Sequence, residues 1–175
     1  MHGREINFHD VHLAFVFAKQ APSDPVTQAH FHLAGQSVPV CSPSRLARLR
    51  RTPETVADFL TLGLLHDGTP TGWANWLSEL DSGLPDHANA PVFEGTTFED
   101  FNLLRAAALS GQGVALCPKA MIKPDLESGG LVQISQRIQD EGYNYYLLAS
   151  TTAPPLVKRQ AEVFRDWAMA ERDKV

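Results

Sequence analysis

FEDFNLLRAAALSGQGVALCP, residues 98–118, holds in succession a strand end, a helix, a glycine turn, a short apolar strand and a proline. Asp100 to Ser110 is apolar on most sides, which predicts a buried helix. Gly111 and Gly113 end it. VALC at 114–117 is short and apolar, as a buried strand is. A helix that begins where a strand stops points its unpaired N–H groups outward. In an α/β sheet, small ligands sit at such places. The stretch therefore predicts a ligand cradle before any catalytic group comes into view.

Working outward, β-branched and aromatic runs alternate with helical patterns. VHLAFVF at 11–17 reads as a buried strand and TQAHFHL at 27–33 as a half-buried one. SVPVCSP at 37–43 is extended, and Ser44 to Leu49 starts a short helix. Thr52 is the expected cap of the next helix, with Pro53 at its first position, and the helix leads through VADFL into a strand at 62–66. Thr55, three residues after Thr52, stands where a capping box needs Glu or Gln and so falls short of a true box. DGTPTG at 67–72 is a loop. WANWLSEL at 73–80 is a helix with Trp73, Trp76, Leu77 and Leu80 on one face, which suits packing better than ligand stacking. DSGLPDHANAP at 81–91 is irregular and VFEGTTF at 92–98 extended. LVQIS at 131–135 and YNYYLLAS at 143–150 are strands. Thr152, Pro154 and Pro155 open a last helix. Its apolar stripe runs through Val157, Ala161, Phe164 and Ala168 and is widened by Leu156, Val163 and Trp167. Strands alternating with helices predict an α/β sheet architecture.

The 175 residues allow one ordinary domain or two small lobes. With 43% hydrophobic and 20% charged residues, the profile is that of a soluble globular chain. The net charge is −5, and the one dense basic cluster, RLARLRR at 45–51, reads as a solvated face. Direct nucleic-acid binding is not expected. Cys41 and Cys117 lie 76 positions apart in apolar contexts, which suits buried free thiols in a reducing cytoplasm. No apolar run approaches a membrane span, and MHGREINFHD lacks the apolar core of a signal peptide.

The search for chemistry returns little. The chain has no G-x-S-x-G, no P-loop and no H-E-x-x-H. Gly111-Gln112-Gly113 follows a helix rather than a strand, so it is a helix stop and not a phosphate loop. His9 with His12, and His30 with His32, have spacings that suit metal ligands, but no acidic residue is spaced with them; no metal and no cofactor is expected. Asp67, Glu99 and Asp100 stand at strand ends, where a lone carboxylate is usually a cap. An enzyme is disfavoured and a binding domain favoured.

The order of these features resembles the effector-binding domain of LysR-type transcriptional regulators, in the branch of the glycine-cleavage activators and β-lactamase regulators. The resemblance rests on PVCSP at 39–43, LLHDGTPTGWANWL at 64–77, AAALSGQGVALCPKAMIKPDLESGGLV at 106–132, YNYYLLAS at 143–150 and FRDWAMAE at 164–171. It implies an α/β fold of the periplasmic-binding-protein type II kind, with two α/β lobes joined by two crossover strands and a small effector between them. Residues 1–39 and 143–175 would form lobe I, and 40–142 lobe II.

The resemblance also implies departures. The family's winged helix-turn-helix and the opening strands of its first lobe have no counterpart here. Lobe I is thus expected to be incomplete, and the chain to be a truncated form without its own route to DNA. The family's Asp-x-Ala-Ile-Arg becomes His12-Leu13-Ala14-Phe15-Val16, which removes an arginine near the cleft mouth. Glu99, Asp100 and Phe101 would face the effector, with Thr97 as a fallback cap, and Tyr145 and His66 would reach the cleft. An acidic helix start answers the helix dipole itself and favours an amine or zwitterion over an anion. An apolar edge at Leu13–Phe17 implies self-association through a lobe. A solute-binding protein of transport and a small α/β enzyme are the competing readings.

Overall fold

The computed structural model describes residues 11–81 and 94–172. In chain order the elements are β1 (Leu13–Ala18), β2 (Thr27–Ala34), β3 (Ser37–Cys41), α1 (Pro43–Leu46), α2 (Val56–Leu62), β4 (Leu64–Asp67), α3 (Thr71–Leu80), β5 (Gly95–Phe98), α4 (Phe101–Leu109), β6 (Val114–Pro118), α5 (Lys123–Glu127), β7 (Val132–Gln133), β8 (Asn144–Ser150) and α6 (Pro155–Arg172). The chain divides into two compact units, residues 1–36 with 140–175, and residues 37–139. The backbone passes from one to the other twice, at Gln36–Ser37 and at Gln139–Asp140.

The larger unit is built on a five-stranded sheet of order β5-β4-β6-β3-β7. β4 is parallel to β5 and β6, whereas β3 is antiparallel to β6 and β7. Side chains alternate along β4, so Leu64 and Leu65 enter different cores. Leu64 joins Phe59 and Leu62 of α2 and Trp73, Trp76 and Leu77 of α3. Leu65 joins Val38, Val40, Ala115 and Cys117 with Leu104, Ala107 and Ala108 of α4. Helices thus cover both faces, as parallel strands require. Trp73 and Trp76 belong to the first core, where Trp73 donates its indole N–H to the Leu65 carbonyl at 2.9 Å and Trp76 to that of Arg137 at 3.2 Å. Both cysteines are buried and free, and burial pushes their thiols up to about 11 at Cys41 and about 12 at Cys117.

Local details of this unit depart from the sequence reading. The cap of α2 is Thr55, not Thr52. Its hydroxyl accepts from the Asp58 N–H, and the Asp58 carboxylate returns to the N–H groups of Glu54 and Thr55 at 3.0 Å. A shorter acid therefore completes a capping box by reaching two adjacent donors. The arginine cluster is only partly solvated. Arg45 turns inward and donates Nε to the Leu62 carbonyl at 2.6 Å, the end of α2, and Arg51 pairs with Asp58. Helix α4 is buried on one side only, since Leu103 is 61% exposed. Gly111 ends it at φ 79°, as expected. Gly113 has another duty: a Cβ there would stand 2.5 Å from the Gly63 carbonyl oxygen and 2.9 Å from Leu65. Strand β7 shrinks to two residues.

The smaller unit is a three-stranded antiparallel sheet of order β1-β8-β2. Its central strand β8 buries Tyr146, Leu147 and Leu148. Helix α6 lies on the sheet face that bears Phe15, where the Phe15 and Phe164 rings meet edge to face at 6.4 Å. Ala161 and Ala168 are its buried residues, and their small side chains let helix and sheet approach closely. Two expectations fail here. β1 is not buried, because it lies at the sheet edge and pairs only with β8 among the described residues, leaving Phe15 49% exposed. The residues that widen the stripe of α6, Leu156, Val163 and Trp167, face outward.

Candidate functional site

In the larger unit, β4 is followed by α3 on the Leu64 face and β5 by α4 on the Leu65 face. The chain moves from β4 outward to β5, then back across β4 to β6. The sheet order therefore reverses between β4 and β6, and the carboxyl ends of such strands form the crevice that open α/β sheets use for ligands. Asp67, Gly68 and Thr69 end β4, and Pro118 and Lys119 end β6. Phe98 closes β5 beside them: Asp67 pairs with Phe98 in the ladder, and the Gly68 N–H donates to the Phe98 carbonyl at 2.8 Å.

Two helices begin at this edge, and they are finished differently. At α4, Asp100 is the cap: its Oδ1 accepts from the N–H groups of Asn102 at 2.8 Å and Leu103 at 3.3 Å. The dipole of α4 is thus answered by the chain's own carboxylate. At α3 the cap position is Pro70, with no side-chain cap hydrogen bond. Pro70 thus offers no side-chain acceptor to the N–H groups of the first turn, Thr71-Gly72-Trp73. The sequence reading placed the ligand-binding helix start at α4 and passed over α3, because DGTPTG reads as a plain loop. The absence of Ser, Thr, Asp or Asn at residue 70 was the signal.

The residues expected at the site are distributed as follows. Glu99 and Asp100 are exposed at the start of α4, and Phe101 packs partly into the Leu65-side core. Thr97 is exposed on β5, in register with His66, and does not cap α4. His66 is 2% exposed. By alternation it shares the Leu64 face, the side away from α4. Its ring lies over Gly95, where a Cβ would come within 2.5 Å of Nε2. Tyr145 belongs to the other unit, on β8, with its ring 4.6 Å from that of Phe17. The structure brings Asp67, Glu99 and Asp100 to one sheet edge and separates His66 from them. Among the described residues, no group of three His, Cys, Asp or Glu side chains could hold a metal ion. His9 lies outside the described residues. None of the described helices is long and apolar enough to cross a membrane.

Comparison with known proteins gives the geometry a family. Residues 4–171 match the model of the LysR substrate binding domain. The glycine cleavage system transcriptional activator of Escherichia coli K12 is 33% identical over 136 residues, 77% of this chain and 41% of that protein. The HTH-type transcriptional regulator DsdC of the same organism is 30% identical over 155 residues, 87% of this chain and 48% of that protein. The chain thus spans less than half the length of these relatives. The AmpR effector binding domain from Citrobacter freundii superposes with a TM-score of 0.72 at 21% identity, over 98% of this chain and 80% of that domain. That likeness shows the fold, which is α/β and periplasmic-binding-protein type II-like as expected. With its fold and nearly its whole length matched, the chain belongs to the LysR substrate-binding domain family.

Proposed function

We propose that this chain is the small-molecule-sensing part of a LysR-type transcriptional regulator, and that its effector is a zwitterion of the α-amino-acid kind. The observation that carries the ligand class is the pairing of two unlike helix starts at one sheet edge. The start of α3 lacks a side-chain cap and suits a carboxylate. The start of α4 holds Asp100, with Glu99 and Asp67 nearby in the chain and ladder, and suits an ammonium group. Binding rather than turnover is the role. Contact with DNA is assigned to a helix-turn-helix domain outside these 175 residues, which fits the 41% coverage of the activator it matches. A cytoplasmic location follows from the same reading.

A thermal-shift panel of α-amino acids, the corresponding simple amines and simple dicarboxylates tests this. At least one amino acid should raise the melting temperature by several degrees, and Asp100→Asn should reduce the shift. Stabilisation by a dicarboxylate that disappears in Asp100→Asn overturns the ligand class, and a flat panel overturns the sensing role.

A further inference from the structure

Gln139, the last residue before the chain leaves the larger unit, reaches back to the start of α3. Its side-chain Nε2 donates to the Gly72 carbonyl at 3.2 Å, across 67 positions of sequence. Helical geometry already pairs that carbonyl with the Trp76 N–H one turn on. The bond from Gln139 is therefore a second one, which the backbone of α3 does not need for its own satisfaction. The amide lies against the bare Cα of Gly72, where a Cβ would stand 3.5 Å from Nε2 and 3.7 Å from Oε1.

The Gly72 carbonyl and the Trp73 N–H belong to one peptide group. That N–H is among the first-turn donors of α3, which have no acceptor within the helix. A hydrogen bond received at the oxygen end makes the N–H end a stronger donor and fixes the plane of the peptide. The support is itself held firmly. The Gln139 N–H donates to the Ser37 carbonyl at 2.8 Å, and the Gln139 carbonyl accepts from the Ser37 N–H at 2.9 Å. Just before it, the Arg137 carbonyl accepts from the Trp76 indole at 3.2 Å, and the Arg137 guanidinium stands 3.7 Å from the Glu79 carboxylate. Gly72, Trp76 and Glu79 follow at steps of four and three, so segment 137–139 runs along one face of α3 in the opposite sense. We propose that Gln139 is a positioning residue for the effector's carboxylate: it aims and polarises the Gly72–Trp73 peptide without touching the ligand. The proposal rests on the reading of the α3 start as the carboxylate end of a zwitterion site.

Calorimetry on the full chain, native and Gln139→Met, tests this. The probes are the amino acid of the thermal-shift panel that stabilises most, its decarboxylated amine and its deaminated acid. Methionine keeps the length of the side chain and loses the donor. Gln139→Met should weaken the amino acid and the deaminated acid alike, on the order of fivefold, and the amine less than about twofold. Gln139→Glu puts an acceptor where the donor stood and adds a negative charge, so it should weaken the acid further than Gln139→Met does. A residue that only braced α3 would weaken acid and amine together. In amide NMR spectra of the free chain, the Trp73 N–H should move upfield in Gln139→Met, a readout independent of any effector. Equal loss for amine and acid, no loss for the acid, or an unmoved Trp73 resonance overturns the proposal and leaves the zwitterion reading standing. Failure of every probe to bind the native chain overturns that reading, and the role of Gln139 falls with it.

Discussion

Gly95 leaves no room for a side chain. A Cβ there would stand 2.4 Å from the Leu64 carbonyl oxygen and 2.5 Å from His66 Nε2, and a backbone oxygen cannot yield as a flexible side chain can. Gly95→Ala should therefore cost about 1–3 kcal/mol, read as a lower urea midpoint, whereas Gly129→Ala meets no atom and is opposed only by its positive φ. This glycine could not be singled out from the sequence, because its crowding arises across the ladder with β4. Asp58 was more nearly legible. Its spacing from Thr55 was there to see, but Thr52 followed by Pro53 offered a helix start three residues earlier. Hydrogen bonds from the N–H groups of Glu54 and Thr55 hold its carboxyl down to about 2, below the usual 3.8. The folded pKa is the depressed one, so its contribution is complete above pH 3.8 and is lost as pH falls to about 2. Melting curves between pH 4.5 and about 2 should show a steeper loss for the native chain than for Asp58→Asn.

At the scale of elements, identity was legible and exposure was not. The apolar periodicity of α6 and the aromatic run of β1 marked a helix and a strand correctly. Periodicity reports apolar side chains without saying what covers them, so Leu156, Val163 and Trp167 were expected inside and lie largely outside. The packing that does form under α6 includes His30 and His32 of β2, whose buried Nε2 and Nδ1 atoms make no hydrogen bond among the described residues. Burial lowers the pKa of both rings; Arg165 adds to this at His30, against Asp166, and Arg172 adds to it at His32. A histidine with a lowered folded pKa binds its proton more readily when unfolded. The packing of α6 on its sheet should be firm above pH 6.5 and weaken as pH falls below it. The melting temperature should drop between pH 7.5 and about 5.5, and the double variant His30→Gln, His32→Gln should flatten that drop.

At the scale of the molecule, the order of strands and helices was enough to reach the family, because PVCSP, the W-x-x-W helix and the GQGVAL turn occur in one spacing. The candidate site was half legible. Asp100 at the start of α4 could be read, since an acid before an apolar periodic run is a cap. The start of α3 was missed, since its mark is the lack of a capping side chain at Pro70, which gains meaning only once the helix is seen to begin at Thr71. The central claim is that two unlike helix starts at one sheet edge read the two ends of a zwitterion. Isothermal titration calorimetry with the amino acid that stabilises best, and then with its decarboxylated amine and its deaminated acid separately, tests it most directly. The intact amino acid should bind with one site per chain, and each half at least tenfold more weakly, on the order of one lost charged contact. Equal or tighter binding of the deaminated acid would contradict the account.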